Sequence, residues 1–188
     1  MFMSSSRSAP SPQWFALHVK ARSEKVVAHV ARNKGFDEFV PQYKVRRRWS
    51  DRLKVLELPL FPGYVFCKLE VERRLPLLTI PGVIGFVGAG KNPLPIDDAE
   101  IAAIQAAVSS GLIAEPFPYL TSGQLVRLQE GPLAGLEGFY LADRKQDRIV
   151  VSVSLLQRSM TIEIDRAWVV PVREAVAQVG WRPAVLAQ

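Results

Sequence analysis

Apolar and polar positions alternate at the start of the ordered-looking sequence. Phe15, Leu17 and Val19 fall on one side of a two-residue period, and Trp14, Ala16, His18 and Lys20 on the other, which predicts a strand. The period then lengthens. Val26, Val27, Val30 and Ala31 recur at helical spacing behind Ser23, a residue suited to cap a helix, and Gly35 suits its stop, so a helix is predicted to about Lys34. Arg22, Lys25, His29 and Arg32 fall on roughly the opposite side, so the helix should turn a basic stripe to solvent. Residues 39–58 read as a strand, a basic turn around Arg46 to Arg52, and a returning strand from Leu53 to Leu58. Leu60-Phe61-Pro62-Gly63-Tyr64-Val65-Phe66-Cys67-Lys68-Leu69 follows, an aromatic strand opened by a Pro-Gly turn. Pro81-Gly82 marks a further turn before a short strand, Val83 to Val87. Asp97 is placed to cap a helix through about Val108, with Ile101, Ile104 and Val108 on one face.

Strand, helix, several strands and helix together predict an α+β domain over residues 13–109. Residues 110–122, with Pro116, Pro118 and a Ser-Gly pair, read as a linker. Beyond it the pattern is purely β. Val126 and Leu128 alternate, and Phe139 to Ala142, Ile149 to Leu155, Met160 to Ile164 and Trp168 to Val172 follow. Five short strands in about 50 residues can bury a core only by curling into a small barrel, predicted over 123–173. The run Ile149-Val150-Val151 favours a lasting barrel over a helical alternative. Residues 1–12 and 174–188 read as tails.

Charge changes this picture in one place. The net charge is +6, but residues 14–56 hold eleven Lys/Arg against four Asp/Glu, while 57–120 are net negative and 121–173 nearly neutral. The positive field therefore belongs to the first third, where it suits a polyanion such as nucleic acid. A hydrophobic share of 48% is ample for a buried core. No apolar run reaches the roughly 18 residues of a membrane span, and the Ser/Pro-rich start has no secretory hydrophobic stretch. A single cysteine, Cys67, excludes an internal disulfide, and with only His18 and His29 besides, a Cys/His zinc site is not expected. These features predict a soluble cytoplasmic protein without metal or cofactor and without a membrane partner.

Catalytic signatures are missing. Gly85 to Asn92 nearly spells a phosphate-binding loop, but Asn92 stands where a magnesium-holding Ser or Thr belongs. Pro93 and Pro95 also oppose the helix that should follow. No nucleophile elbow, paired-His motif or Cys-His arrangement occurs, so a binding protein is expected rather than an enzyme. The aromatic side chains of Trp14, Tyr64, Phe66 and Phe86 then become informative. Tyr64 and Phe66 alternate with Val65 and Cys67, so both faces of that strand are apolar, and a face left open would form an interaction patch.

These residues carry a resemblance. Leu60-Phe61-Pro62-Gly63-Tyr64-Val65-Phe66, with Pro81-Gly82-Val83-Ile84-Gly85-Phe86-Val87-Gly88 and the opening Trp14 to Lys20, resembles the N-terminal domain of the NusG family of transcription elongation factors. Gly123 to Gly138 is similar to the KOW motif of the same family. The resemblance implies an α+β N-terminal (NGN) domain, a five-stranded SH3-like KOW barrel, and a factor that binds RNA polymerase and modulates pausing and termination. By position it implies a clamp-helix surface of Trp14, His18, Tyr64, Phe66 and Phe86, a gate-loop side at Arg73 and Arg74, and DNA contacts by Lys20, Arg22, Lys25, His29 and Arg32.

In the family the barrel docks ribosomal protein NusE or the termination factor Rho, here through Leu156 and Arg158 by position. Housekeeping members carry Phe-Gly where this chain has Leu156-Gln157, a loss of contact area worth about 1–2 kcal/mol that argues against Rho. With the arginine-rich hairpin, this departure is more like specialised paralogues of the RfaH or UpxY kind, which antiterminate chosen operons. The competing reading is a KOW-type RNA-binding or ribosome-associated protein, and the near-neutral charge of residues 123–173 counts against it.

Overall fold

The computed structural model describes residues 11–49, 52–90, 92–118, 124–142 and 147–172. The predicted tails fall almost wholly outside these residues, as does the tip of the basic turn at 50–51.

The N-terminal sheet holds β1 (Gln13–Val19), β2 (Asp37–Phe39) and, beyond the hairpin β3 (Gln42–Trp49) and β4 (Arg52–Pro59), β5 (Tyr64–Leu69) and β6 (Val83–Phe86). Its order is β2-β5-β1-β6, with β1 antiparallel to both β5 and β6. Helix α1 (Glu24–Asn33) joins β1 to β2, and a short α2 (Leu75–Leu78) precedes β6. The alternation along β1 is realised as expected. Phe15, Leu17 and Val19, with Val65, Cys67 and Leu69 of β5, pack beneath α1 in one apolar cluster.

The stripe of α1 that enters this cluster differs from the sequence expectation. Glu24, Val27, Ala28 and Ala31 are buried, whereas Val26 is 61% exposed. Either register offers an apolar stripe; the one adopted turns Glu24 inward, where its carboxylate finds a backbone N–H. Ser23 sits at the N-cap position without a side-chain capping bond. The basic turn is also shorter than expected. Arg46, Arg47 and Arg48 lie inside the β3–β4 ladder, opposite Val55, Lys54 and Leu53.

After β6, the glycine-rich segment forms a small hairpin, β7 (Gly88–Ala89) with β8 (Asn92–Pro93). No helix begins there; α3 (Asp98–Ser109) starts six residues beyond Asn92, capped by the Asp97 carboxylate accepting from the Ala99 N–H at 2.8 Å. Ile101 and Ile104 face inward as expected, but the third buried position is Ala107, and Val108 stays 38% exposed.

The C-terminal sheet has β9 (Ala114–Pro118), β10 (Gln124–Leu128), β11 (Glu137–Ala142), β12 (Asp147–Val153), β13 (Arg158–Ile164) and β14 (Val169–Pro171), ordered β14-β10-β11-β12-β13-β9. Five of these are the predicted strands. The sixth, β9, lies in the segment read as linker and pairs with β13 from Arg158–Pro118 to Ile162–Ala114. Proline is tolerated there because β9 is an edge strand, and Arg148 reaches both Glu115 and Glu163 at 3.6 Å, tying the edge down.

Helix α3 lies between the two sheets. One continuous cluster contains Ala16 and Phe66 from the N-terminal sheet, Ile101, Ile104 and Ala107 from α3, and Val126, Leu128, Ile149, Val151 and Met160 from the barrel. Among the described residues no helix is long and apolar enough to cross a membrane, and no cluster of His, Cys, Asp and Glu is arranged to hold a metal.

Candidate interaction surface

The side of the N-terminal sheet away from α1 is set by β1–β5 pairing: Trp14 opposite Lys68, Ala16 opposite Phe66, and His18 opposite Tyr64. These three rungs have different surroundings. At one end Trp14 is half-buried, its carbonyl accepts from the Ile96 N–H at 2.8 Å, and the Lys68 ammonium lies 6.0 Å from its ring centroid. In the middle, Ala16 and Phe66 are wholly inaccessible. At the other end His18 is exposed and stacks on half-buried Tyr64, with centroids 5.5 Å apart and planes 28° apart.

Two of the expected surface aromatics are therefore placed elsewhere. Phe66 packs edge-on to Phe61 at 5.7 Å and beside Phe39 at 6.2 Å, as part of the core. Phe61, Leu60 and α3 cover the middle of the sheet, a fact that strand alternation does not contain. Phe86 pairs with Leu17 and so points to the α1 side, where it meets Phe15 edge-on at 6.1 Å. It does not share a sheet face with His18 and Tyr64. Phe86 also lines a groove along β6, together with His18, Arg74, Leu75, Leu78, Ile84 and Pro93. Leu75 and Ile84 in that groove are 66% and 58% exposed, and no aromatic pattern marked them in the sequence.

Arg73 and Arg74 stand on the turn before α2. The Arg73 guanidinium lies 5.9 Å from the Phe36 ring, and Arg74 Nη1 donates to the Val71 carbonyl at 3.0 Å. Lys20, Arg22, Lys25, His29 and Arg32 are all exposed, the first two before α1 and the rest along its outer face. Arg22 has φ of 67°, the left-handed region that few non-glycine residues adopt. Lys25 pairs with Glu57 at 3.5 Å, Arg32 with Glu38, and His29 Nε2 meets Asn33 Nδ2 at 3.1 Å. The stripe is continuous, but two of its charges are partly matched within the chain.

In the barrel, the loop expected to dock a second partner is closed. Leu156 is 6% exposed and belongs to the core, because the turn Ser154–Leu156 folds back and Gln157 takes φ of 51°. Arg158 is exposed at the start of β13. Glu100 of α3 accepts from the Ser154 N–H at 3.1 Å and from its hydroxyl at 2.7 Å, so this turn is held against the helix.

Comparison with known proteins gives the arrangement its place. The family model described as "Transcription termination factor nusG" matches residues 12–105, half of the chain. The chain belongs to the NusG family. Among its relatives is the transcription termination/antitermination protein NusG of Helicobacter pylori strain J99, 28% identical over 172 residues, spanning 80% of this chain and 93% of the relative. The protein of that name from Escherichia coli K12 is 29% identical over 171 residues, spanning 84% and 94%. A solved structure titled "Domain interaction in Thermotoga maritima NusG" shares the fold, with a TM-score of 0.54 and 20% identity over 88% of this chain and all of that one. A NusG-family protein is a transcription factor rather than an enzyme.

Proposed function

We propose that this protein binds RNA polymerase through the open end of the N-terminal sheet, with the His18–Tyr64 stack as its centre and Trp14 at its border. The observation carrying this reading is that stack, an exposed His18 ring on a half-buried Tyr64 ring at the end of a sheet face whose middle is covered by α3 and Phe61. Amphipathic rings with few rotatable bonds are favoured at the desolvated centres of interfaces. The target is the pair of clamp helices of the polymerase. Arg73 and Arg74 face the opposite, gate-loop side, and Lys20, Arg22, Lys25, His29 and Arg32 face upstream or non-template DNA. Bridging the cleft holds the enzyme in one state and changes pausing and termination by differential affinity, without bond chemistry. By the departure at Leu156-Gln157 the protein acts at selected operons, with NusE rather than Rho as the partner of the barrel. Transcription places it in the cytoplasm.

Single-round transcription by purified bacterial RNA polymerase, on a template with a pause and a terminator, tests this. The parent protein should change pause lifetime or readthrough, on a native operon leader if not on a general template. Tyr64→Ala should abolish the effect while keeping the parent's circular dichroism. Equal activity of variant and parent would remove the stack from the interface.

A further inference from the structure

The inward stripe of α1 contains one residue that does not belong there on hydropathy. Glu24 is 5% exposed, alongside Val27, Ala28 and Ala31. A carboxylate is not withdrawn from water without a compensating partner. Its partner is 39 residues away: Oε1 accepts from the Gly63 N–H at 2.8 Å. Gly63 is held from its other side too, since its carbonyl accepts from the Val19 N–H at 2.8 Å. The Tyr64 N–H returns to the Phe61 carbonyl at 3.2 Å and closes the turn. Gly63 adopts φ of 85°, and a Cβ there would sit 3.9 Å from His18 Cδ2, so this turn abuts the His18 ring. The next side chain in sequence is the Tyr64 ring that stacks on it.

We infer that Glu24 is a positioning residue for the interaction surface. It fixes the plane of the Pro62–Gly63 peptide and, together with the Val19 N–H on the Gly63 carbonyl, the direction in which Tyr64 leaves the turn to stack on His18. The part of this inference that concerns polymerase rests on the reading proposed above; the part that concerns the two rings does not. Glu24 also lies in the first turn of α1, where any negative charge favours the helix dipole. The two roles make opposite demands. Helix support needs the charge and tolerates a shorter side chain; positioning needs an oxygen acceptor at full reach and tolerates loss of charge.

The test uses the full chain as Glu24→Gln, Glu24→Asp and Glu24→Ala, with two readouts. NMR follows the Gly63 amide shift and the cross-peaks between the His18 and Tyr64 rings, and binding is measured against purified RNA polymerase. Glu24→Gln should retain the ring cross-peaks and bind within about threefold of the parent, whereas Glu24→Asp and Glu24→Ala should lose the cross-peaks and bind about tenfold more weakly. If Glu24→Ala does not fold, the Gln and Asp variants carry the comparison between them. Retained cross-peaks in Glu24→Asp, or a Gln variant as impaired as Asp, would overturn the assignment. If the rings respond as expected while neither the Glu24 variants nor Tyr64→Ala changes polymerase affinity, the hold of Glu24 on the rings stands and the polymerase surface is refuted.

Discussion

The Ala16–Phe66 and His18–Tyr64 pairs are successive same-face rungs of one two-stranded ladder, yet the first is wholly buried and the second opens to solvent at its His18 end. Both rungs carry an aromatic ring on β5, and both lie on the side away from α1. The difference is what arrives from elsewhere: the cluster of Phe61 and α3 buries the first rung completely, whereas in the second it leaves Tyr64 half-buried and His18 exposed. A two-residue period tells which side of a strand a residue occupies, and the neighbours decide whether that side is core or interface.

The largest test of this contrast is stability. Phe66→Ala should cost about 3–5 kcal/mol in urea unfolding, because it leaves a cavity under α3. Any loss of polymerase binding should follow the unfolded fraction alone. A stable Phe66→Ala variant that fails to bind would instead return Phe66 to the interface. Tyr64→Ala should behave in the opposite way, shifting stability by about 1 kcal/mol or less while weakening polymerase binding by about 2 kcal/mol, as removal of an interface anchor does.

Cys67 sharpens the contrast from the far side of β5. Burial, with a smaller contribution from the Glu38 carboxylate, pushes its thiol from 9.0 up to about 12. The folded protein should therefore not react with a thiol reagent at pH 8 until it is unfolded by urea. Because the folded value lies above the unfolded one, the stabilisation is complete below pH 9. It declines as the pH rises from there toward 12, by about 1.4 kcal/mol per pH unit. A pH-independent urea midpoint between 9 and 11 would contradict this burial. The smallest effect belongs to the seam with the barrel. Glu100→Ala removes the two hydrogen bonds to Ser154 at a partly exposed site, and should cost about 1 kcal/mol or less in thermal unfolding.

Much of the architecture is legible in local pattern. The alternation of β1, the Pro62-Gly63 turn, the Asp97 cap and the five barrel strands each follow from a short window of sequence. The stripes of α1 and α3 were harder. Val26 and Val108 satisfy a helical period as well as Ala28 and Ala107 do, and the choice between them depends on what the helix packs against. Edge strand β9 is not legible in local pattern, because Pro116 and Pro118 look like linker residues unless the partner strand β13 is known. Glu24 shares a face with Val27, Ala28 and Ala31 by spacing, but its partner Gly63 lies 39 residues away and no local window contains it.

By itself the sequence determined the α+β-then-β order, the basic first third and the box of residues that marks the NusG family, because each depends on residues near one another along the chain. Tertiary structure alone decided that Phe66 and Leu156 are core, that Phe86 faces α1, and that His18 and Tyr64 remain accessible together. Burial is a property of what packs on a side chain from distant segments. Here those segments are Phe61, α3 and the barrel, which come together only when the chain folds.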